Sequence, residues 1–410
     1  MKKSKKNIII YSFQSLEDPL LKGLMLEYLL RINMKRTDIF FHIISHEQKQ
    51  YRLSATEKKN KKIELEKSNI KWYPVKYRTG KFLLLKKLYN FIQTFFITIH
   101  IKLRSKPKAI IGFLPIAGGY SLIISKILRI KLIVFCFEPH SEYMIDFNIW
   151  GKKSLKYKLL NKFETWQIKG ASHITLPTSY SMKYADCINP NNKKYLLPIS
   201  VDTDLFEFSN DNRTVFRNKL EIGNKIVLIY TGKFGGIYYD VEKIVYLFKN
   251  LLNQYTDYFL LVITPNEFEI KNALKKEHVP RNNYHVLNTV PYKELPKYIS
   301  AADIGLIAIP PLPSQKYRTP VKTGLYLSCG LPYVVNKGIA EDDIMAKNEN
   351  IGIVIDDFEN INYKELSDNI IKTQNENTHE LKIRCRQVAI EQRSVNLSVN
   401  VLNTIINDII

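Results

Sequence analysis

Thr319-Pro320-Val321-Lys322-Thr323-Gly324-Leu325-Tyr326-Leu327-Ser328-Cys329-Gly330-Leu331-Pro332 stands between two apolar runs, Asp303 to Ile309 and Tyr333 to Val335. Strand, helix and strand in succession are the unit of a parallel sheet. Thr319 suits the N-cap, Pro320 the first helical position, and Gly330 with Pro332 the stop. A helix begun this way offers free backbone N–H groups and the positive end of its dipole at the carboxyl end of the preceding strand. Lys322 stands one turn in. The stretch therefore predicts a phosphate site built from Pro320, Val321, Lys322 and Thr323.

The same alternation runs outward in both directions. The first half holds seven candidate strands: Asn7 to Tyr11, Ile39 to Ser45, Ile70 to Tyr73, Ala109 to Phe113, Lys131 to Phe137, His173 to Leu176 and Lys194 to Leu197. The second half holds six: Lys225 to Thr231, Tyr258 to Ile263, Tyr284 to Leu287, Asp303 to Ile309, Tyr333 to Asn336 and Gly352 to Ile355. Longer amphipathic stretches separate them, the pattern of an α/β protein with two doubly wound sheets. A chain of 410 residues has room for two such domains. The expected division is an N-terminal domain over 1–200, a linker over 201–224, a second domain over 225–385 and a C-terminal helix within 386–410. That helix either stays with the second sheet or crosses back to the first domain.

Charge is divided unevenly. Residues 1–200 carry 37 Lys and Arg against 13 Asp and Glu, whereas the remainder carries 24 against 26. One basic half suggests a polyanion or an anionic membrane surface as partner. Nucleic acid is the rival, but no recognition-helix, RNP-like or zinc-module pattern accompanies the charge, and no nucleic-acid partner is expected. The basic start lacks the apolar region of a signal peptide, which reads as a cytoplasmic protein. Cys136, Cys187, Cys329 and Cys385 stand too far apart to suggest a zinc site or a disulfide framework.

The longest apolar segment lies between Lys76 and Lys108. Lys87, Asn90, Thr94 and Thr98 fall on one helical stripe, while Leu84, Leu88, Phe91, Ile92, Phe95, Phe96 and Ile99 spread over the opposite face. It is too short and too polar to span a bilayer. Two readings stand: an interfacial helix on an anionic membrane, flanked by lysines and arginines, or a helix packed on the N-terminal sheet with solvated flanks.

Three segments carry a family resemblance. Pro198-Ile199-Ser200-Val201-Asp202-Thr203-Asp204-Leu205-Phe206 is similar to the interlobe motif P-N-G-V-D-T-x-x-F of the GT-B glycosyltransferases of the large family-4 type. Tyr230-Thr231-Gly232-Lys233 resembles their phosphate-binding turn, and residues 319–332 resemble their S-P-x-K-x-x-E-Y-x-x-x-G-x-P-V. By order and spacing the resemblance covers nearly the whole chain. It implies two Rossmann-like domains facing each other across a cleft and a hexosyltransferase-like activity with a nucleotide-diphosphate sugar as donor substrate. It also implies retention at the anomeric carbon. Asp202-Thr203-Asp204 falls in the interlobe motif and reads as a turn cap, with Phe206 plugging an apolar contact between lobes; no metal and no cofactor are expected.

On this reading Gly232, Lys233 and Gly235 form a close-approach turn, and Lys233 and Lys322 flank the leaving diphosphate. Val290 matches the loop that holds the nucleotide base. Glu138 and His140, after the strand that begins at Lys131, point polar groups into the acceptor side, where His140 would stand beside the donor sugar. The family's two acids would fall at Tyr317 and Leu325, and neither is acidic. Tyr317, Arg318 or the Glu341-Asp342-Asp343 run are the candidates to compensate, and Gly324 hints at a close approach within the helix. The expected protein is a glycosyltransferase of surface polysaccharide or lipopolysaccharide assembly, with a lipid-linked saccharide acceptor, peripheral on the inner face of the cell membrane. The alternatives are a degenerate GT-B binding or scaffold protein and, by charge alone, a nucleic-acid binder.

Overall fold

A computed structural model describes residues 5–136, 139–235, 240–356, 360–376 and 378–410. Glu138, Gly236 and Tyr238, and the side chain of Leu84, lie outside that set. The chain divides into two compact units, Met1–Pro198 with Ser398–Ile410, and Ile199–Leu397.

In the first unit the strands are β1 (Lys6–Ser12), β2 (Ile39–Glu47), β3 (Ile70–Lys76), β4 (Ala109–Phe113), β5 (Lys131–Phe135), β6 (His173–Leu176) and β7 (Lys193–Leu196). They form one parallel sheet in the order β3-β2-β1-β4-β5-β6-β7. The second unit holds β8 (Ile226–Thr231), β9 (Tyr258–Ile263), β10 (Tyr284–Leu287), β11 (Ile304–Ile307), β12 (Tyr333–Asn336) and β13 (Gly352–Ile355), ordered β10-β9-β8-β11-β12-β13. Both orders are the doubly wound arrangement, α/β and Rossmann-like, as expected. All thirteen expected strands are present. Ile8, Ile9 and Ile10, or Val227, Leu228 and Ile229, are fully buried in succession, because a parallel strand covered by helices on both faces has no solvent side. Pro74, which cannot donate to a ladder, sits in the edge strand β3.

Residues 201–224 do not stand apart as a linker; they pack in the second unit. Phe206 is fully buried in that unit's core and lies 4.9 Å from the Tyr292 ring. The helix Asn210–Lys219 is clamped by Asp303, whose carboxylate accepts from Arg213 Nη2 at 2.6 Å, Arg217 Nη1 at 3.1 Å and the Val227 amide at 2.8 Å. Asp202 does cap a turn, accepting from the amides of Asp204 (3.1 Å) and Leu205 (3.3 Å). The last helix, Val395–Ile409, has its residues from Ser398 onward in the first unit, where Asp408 pairs at 2.5 Å with both His173 and Lys193.

The helix Leu83–Ser105 buries its polar stripe and exposes much of its apolar face. Asn90, Thr94 and Thr98 are fully buried, while Leu85, Leu88, Ile92, Phe96 and Leu103 are exposed, Phe96 at 63%. The polar stripe goes inward because it finds partners there. Asn90 Oδ1 accepts from Arg78 Nη1 at 2.7 Å, Thr94 Oγ1 lies 3.3 Å from His46 Nε2, and the Thr98 hydroxyl bonds back to the Thr94 carbonyl at 2.9 Å. Among the described residues no helix is long and apolar enough to cross a membrane.

Candidate functional site

In a doubly wound sheet, ligands bind beyond the carboxyl ends of the strands where the order reverses. In the second unit that point lies between β8 and β11, and the elements that follow these strands are the Gly232 turn and the helix Val321–Ser328.

Tyr326 fixes that helix on the sheet. Its ring lies so close to β11 that a Cβ at Gly305 would come within 2.3 Å of it. Its fully buried hydroxyl accepts from the Thr231 amide at 3.1 Å and donates to the Ile229 carbonyl at 3.3 Å. The helix closes on the expected glycine: Gly330 has φ +66°, its amide bonds to the Leu327 carbonyl, and the Leu331 amide reaches the Tyr326 carbonyl. This paired closure is a Schellman motif. Gly324 does mark a close approach, but to the protein itself, since a Cβ there would stand 3.0 Å from Val201 and 3.4 Å from Arg393.

The N-terminus differs from expectation by one residue. Pro320, with extended φ −67° and ψ 129°, is the N-cap, and no side chain caps the first turn; Thr319 is buried one position earlier. Proline has no N–H and no side-chain acceptor, so the amides of Val321, Lys322 and Thr323 are left without a cap. The Thr323 hydroxyl is turned away to the fully buried Asp342, which also pairs with Arg393. Asp342 is therefore committed to structure and does not stand in for a ribose-binding acid. Asp343 is engaged through one oxygen only: Oδ2 accepts from the Gly338 amide at 2.9 Å, while Oδ1 is buried without a partner. Leu325 lies in the hydrophobic core of the unit.

Lys322 crosses back over the Gly232 turn. Its Nζ sits 3.7 Å from the centre of the Tyr230 ring, and a Cβ on residue 232 would lie 3.0 Å from Lys322 Cε. Gly232 also has φ +129°, which no L side chain adopts without strain, so this glycine serves both backbone and lysine. Among the described residues Lys322 makes no hydrogen bond or ion pair. Desolvation, and then the charge of Arg318, push its pKa down to about 7. A half-buried ammonium with an aromatic face beneath it and no carboxylate partner is prepared for an anion.

The turn itself is braced from below. The Tyr230 hydroxyl donates to the Lys233 carbonyl at 2.8 Å, the Phe234 ring stacks on Tyr230 at 4.4 Å, and the Phe234 amide donates to Asn266 Oδ1 at 3.1 Å. Gly235 takes φ +78°. These contacts leave the Lys233 side chain exposed on a held backbone. Gly232, Lys233, Gly235, Pro320, Val321, Lys322 and Thr323 thus gather at one end of one sheet. Val290 is half-buried against the same unit's core, just beyond the carboxyl end of β10.

Two residues were not singled out from the sequence. Gln315 and Asn336 are fully buried, and neither the oxygen nor the nitrogen of either amide has a hydrogen-bond partner. Gln315 lies in the turn after β11 that leads to the helix start, and Asn336 ends β12. Nothing local in the sequence marks them; only burial without a partner does.

His140 belongs to the first unit, where it opens the helix His140–Asp146 and stacks on Tyr143 with ring centres 5.8 Å apart. The next residue is held by Glu164, also not foreseen: its carboxylate accepts from the Ser141 amide at 3.1 Å and hydroxyl at 2.5 Å. A buried carboxylate at a helix N-terminus fixes where that helix, and His140 with it, begins.

Residues 255–396 match the family model for the glucosyltransferase 3-like C-terminal domain. No curated protein sequence matches the chain. Among solved structures, Anabaena HepE in complex with UDP is similar over 98% of this chain and 100% of its own, with a TM-score of 0.68 at 15% identity. Sucrose-phosphate synthase from Thermosynechococcus elongatus is similar over 98% and 99%, with a TM-score of 0.71 at 12% identity. WaaG, a glycosyltransferase involved in lipopolysaccharide biosynthesis, is similar over 96% and 98%, with a TM-score of 0.62 at 13% identity. The fold of this chain, and the family of its second domain, are those of a GT-B glycosyltransferase.

Proposed function

We propose that this glycosyltransferase moves a sugar from a nucleotide-diphosphate sugar to a lipid-linked saccharide, with retention and without an essential metal, in surface-polysaccharide or lipopolysaccharide assembly. The observation that carries the reading is the unpaired Lys322 ammonium lying over Gly232, at the start of an uncapped helix. As the bond to the sugar breaks, negative charge develops on the diphosphate. Fixed cations and amide donors stabilise it without reorganising. Lys322, Lys233 and the amides of Val321 to Thr323 take that role. Gln315 and Asn336 supply the polar contacts to ribose or sugar that the absent acids would have made. Val290 borders the base. His140 is assigned to a hydroxyl of the reacting sugar, with Glu138 orienting it or binding the acceptor.

The donor class draws support from HepE, whose structures contain UDP and UDP-glucose. Membrane association draws support from the exposed apolar row Leu85, Leu88, Ile92 and Phe96 on a strongly basic half of the chain. We place the enzyme on the cytoplasmic face of the cell membrane, held by that helix. A screen of UDP, GDP, ADP and CMP by thermal shift tests the donor site. One nucleotide should stabilise the protein, and Lys322→Ala should abolish the response. A response to none of them, or an unchanged response in Lys322→Ala, refutes the reading.

A further inference from the structure

At the carboxyl ends of β2 and β3 the first unit holds a cavity of about 600 Å³. That volume lies within the range of small-molecule sites. Lys49, Arg52, Lys58, Lys76 and Arg78 line it around a single acid, Glu47. The side chains of Lys49, Arg52, Lys58 and Lys76 make no ion pair or hydrogen bond with a described residue. Arg78 is held instead, donating to Asn90 Oδ1 at 2.7 Å and Gln93 Oε1 at 3.2 Å and lying 4.3 Å from the Tyr89 ring. Cations clustered around one buried acid outnumber it and repel one another, and a concave wall focuses their field; an anion removes that repulsion.

Glu47 shows what else the ligand carries. It is 7% exposed, and one of its oxygens is fixed: Oε1 accepts from Ser45 Oγ at 2.6 Å and the Leu16 amide at 3.2 Å. Ser45 is itself held by Trp72 Nε1 at 2.7 Å. Oε2 is buried and has no donor. Leaving a carboxylate oxygen desolvated and unpaired is costly, and burial raises the pKa of this group. A ligand hydroxyl would satisfy it.

We propose that this cavity binds a glycosyl phosphate or diphosphate, with a sugar hydroxyl donating to Glu47 Oε2 and the phosphate held by Lys49, Arg52, Lys58 and Lys76. It is the anionic end of the acceptor. Only the word acceptor rests on the glycosyltransferase reading; the ligand chemistry stands on the cavity. The site adjoins the start of the helix Leu83–Ser105, through Lys86 in its lining. The same phosphate chemistry comes from a lipid-linked sugar or from a free sugar phosphate.

The test is calorimetric titration of the full chain with glucose 1-phosphate, pyrophosphate and farnesyl diphosphate. Saturable binding at one site per chain is expected. The double variant Arg52→Ala with Lys76→Ala changes two exposed, unpaired side chains and should weaken all three ligands about tenfold or more, with UDP binding and melting temperature unchanged. Glu47→Gln should weaken glucose 1-phosphate several-fold more than pyrophosphate, which offers no sugar hydroxyl. Farnesyl diphosphate bound tenfold tighter than pyrophosphate supports a lipid-linked source, and equal affinities support a free one. Equal binding in wild type and the double variant overturns the proposal. So does loss of all three ligands in Lys322→Ala, which would assign them to the donor site. Adsorption to phosphatidylglycerol vesicles with no binding of any soluble probe also overturns it, leaving only a charged face. A wild type that ignores every nucleotide refutes the donor reading without touching this test.

Discussion

Raising the pH from 6.5 to 8.5 is expected to weaken UDP binding about 25-fold through Lys322 alone. The free protein holds this lysine near pH 7, because burial and Arg318 both oppose its charge. A bound diphosphate reverses the balance by pairing with the ammonium and returning its pKa towards the ordinary value near 10. Between these limits each pH unit above 7 costs about 1.4 kcal/mol of binding, or tenfold, as the proton must be taken up with the ligand. The terminal phosphate of UDP, with a second pKa near 6, is about three-quarters ionised at pH 6.5 and fully so by pH 8, a change that opposes the slope only slightly. Calorimetry at pH 8 in two buffers of different ionisation enthalpy should show uptake of about 0.9 proton per UDP. Lys322→Met should bind weakly at every pH, with neither slope nor uptake. The sign for stability follows from the same shift. The unfolded chain holds this proton up to about pH 10 and the folded chain only to about 7, so the lysine's burden on the fold is greatest at low pH and shrinks as pH rises. Lys322→Met should therefore stabilise the ligand-free protein more at pH 7 than at pH 9, by about 1 to 2 kcal/mol after allowance for partial exposure. A pH slope for UDP that survives in Lys322→Met refutes the reasoning.

Three further outcomes follow. Gly232→Ala should cost about 1 to 2 kcal/mol in stability and at least tenfold in UDP affinity, since φ +129° and the Lys322 stem both exclude a Cβ; unchanged affinity by titration would show that the turn tolerates displacement. His42 and His46 are buried and uncharged, with pKa pushed by desolvation down to about 4 and about 3. The unfolded chain protonates both near 6.5, so stability is full above that pH and falls below it, by about 4 kcal/mol at pH 5; urea titrations of His46→Leu should show roughly half the loss. Leu88→Glu with Phe96→Glu leaves the core untouched and should abolish flotation with phosphatidylglycerol vesicles without lowering the melting temperature, whereas retained flotation would return the helix to a purely structural role.

The helix Leu83–Ser105 shows where sequence reading stops. Periodicity states that Asn90, Thr94 and Thr98 share a face and that Leu88, Ile92 and Phe96 share another. Which face turns inward depends on what awaits it: here His46 from β2 and Arg78 beyond β3. The turn at Gly232 and the helix at Lys322 were legible separately, because glycine pairs, a proline start and a closing glycine act within a few residues. The commitment of Asp342 was not, because Arg393 lies 51 residues further along the chain and Thr323 lies 19 residues before it. Gln315, Asn336 and Glu47 were silent for a related reason. A polar side chain is ordinary in sequence and becomes informative only when it is buried with an atom unpaired.

The sequence by itself determined the thirteen strands, and with them the two doubly wound sheets, because central strands covered on both faces are written as apolar runs, while the edge strands β3 and β7 are mixed and show only as short stretches between turns. It also determined the helix within residues 319–332 and its glycine closure to within one position, because a helix stop is satisfied locally; the start, at Pro320, carries no side-chain cap. The tertiary structure alone decided that Lys322 lies across Gly232, ninety positions earlier, and that its charge is left without a partner. It alone surrounded one buried carboxylate, at the end of β2, with unpaired cations from the stretch after β2, the helix Ala55–Lys67 and the end of β3. Sheet order makes such neighbours. Desolvation then sets their chemistry, and neither acts over a distance that a local pattern of residues records.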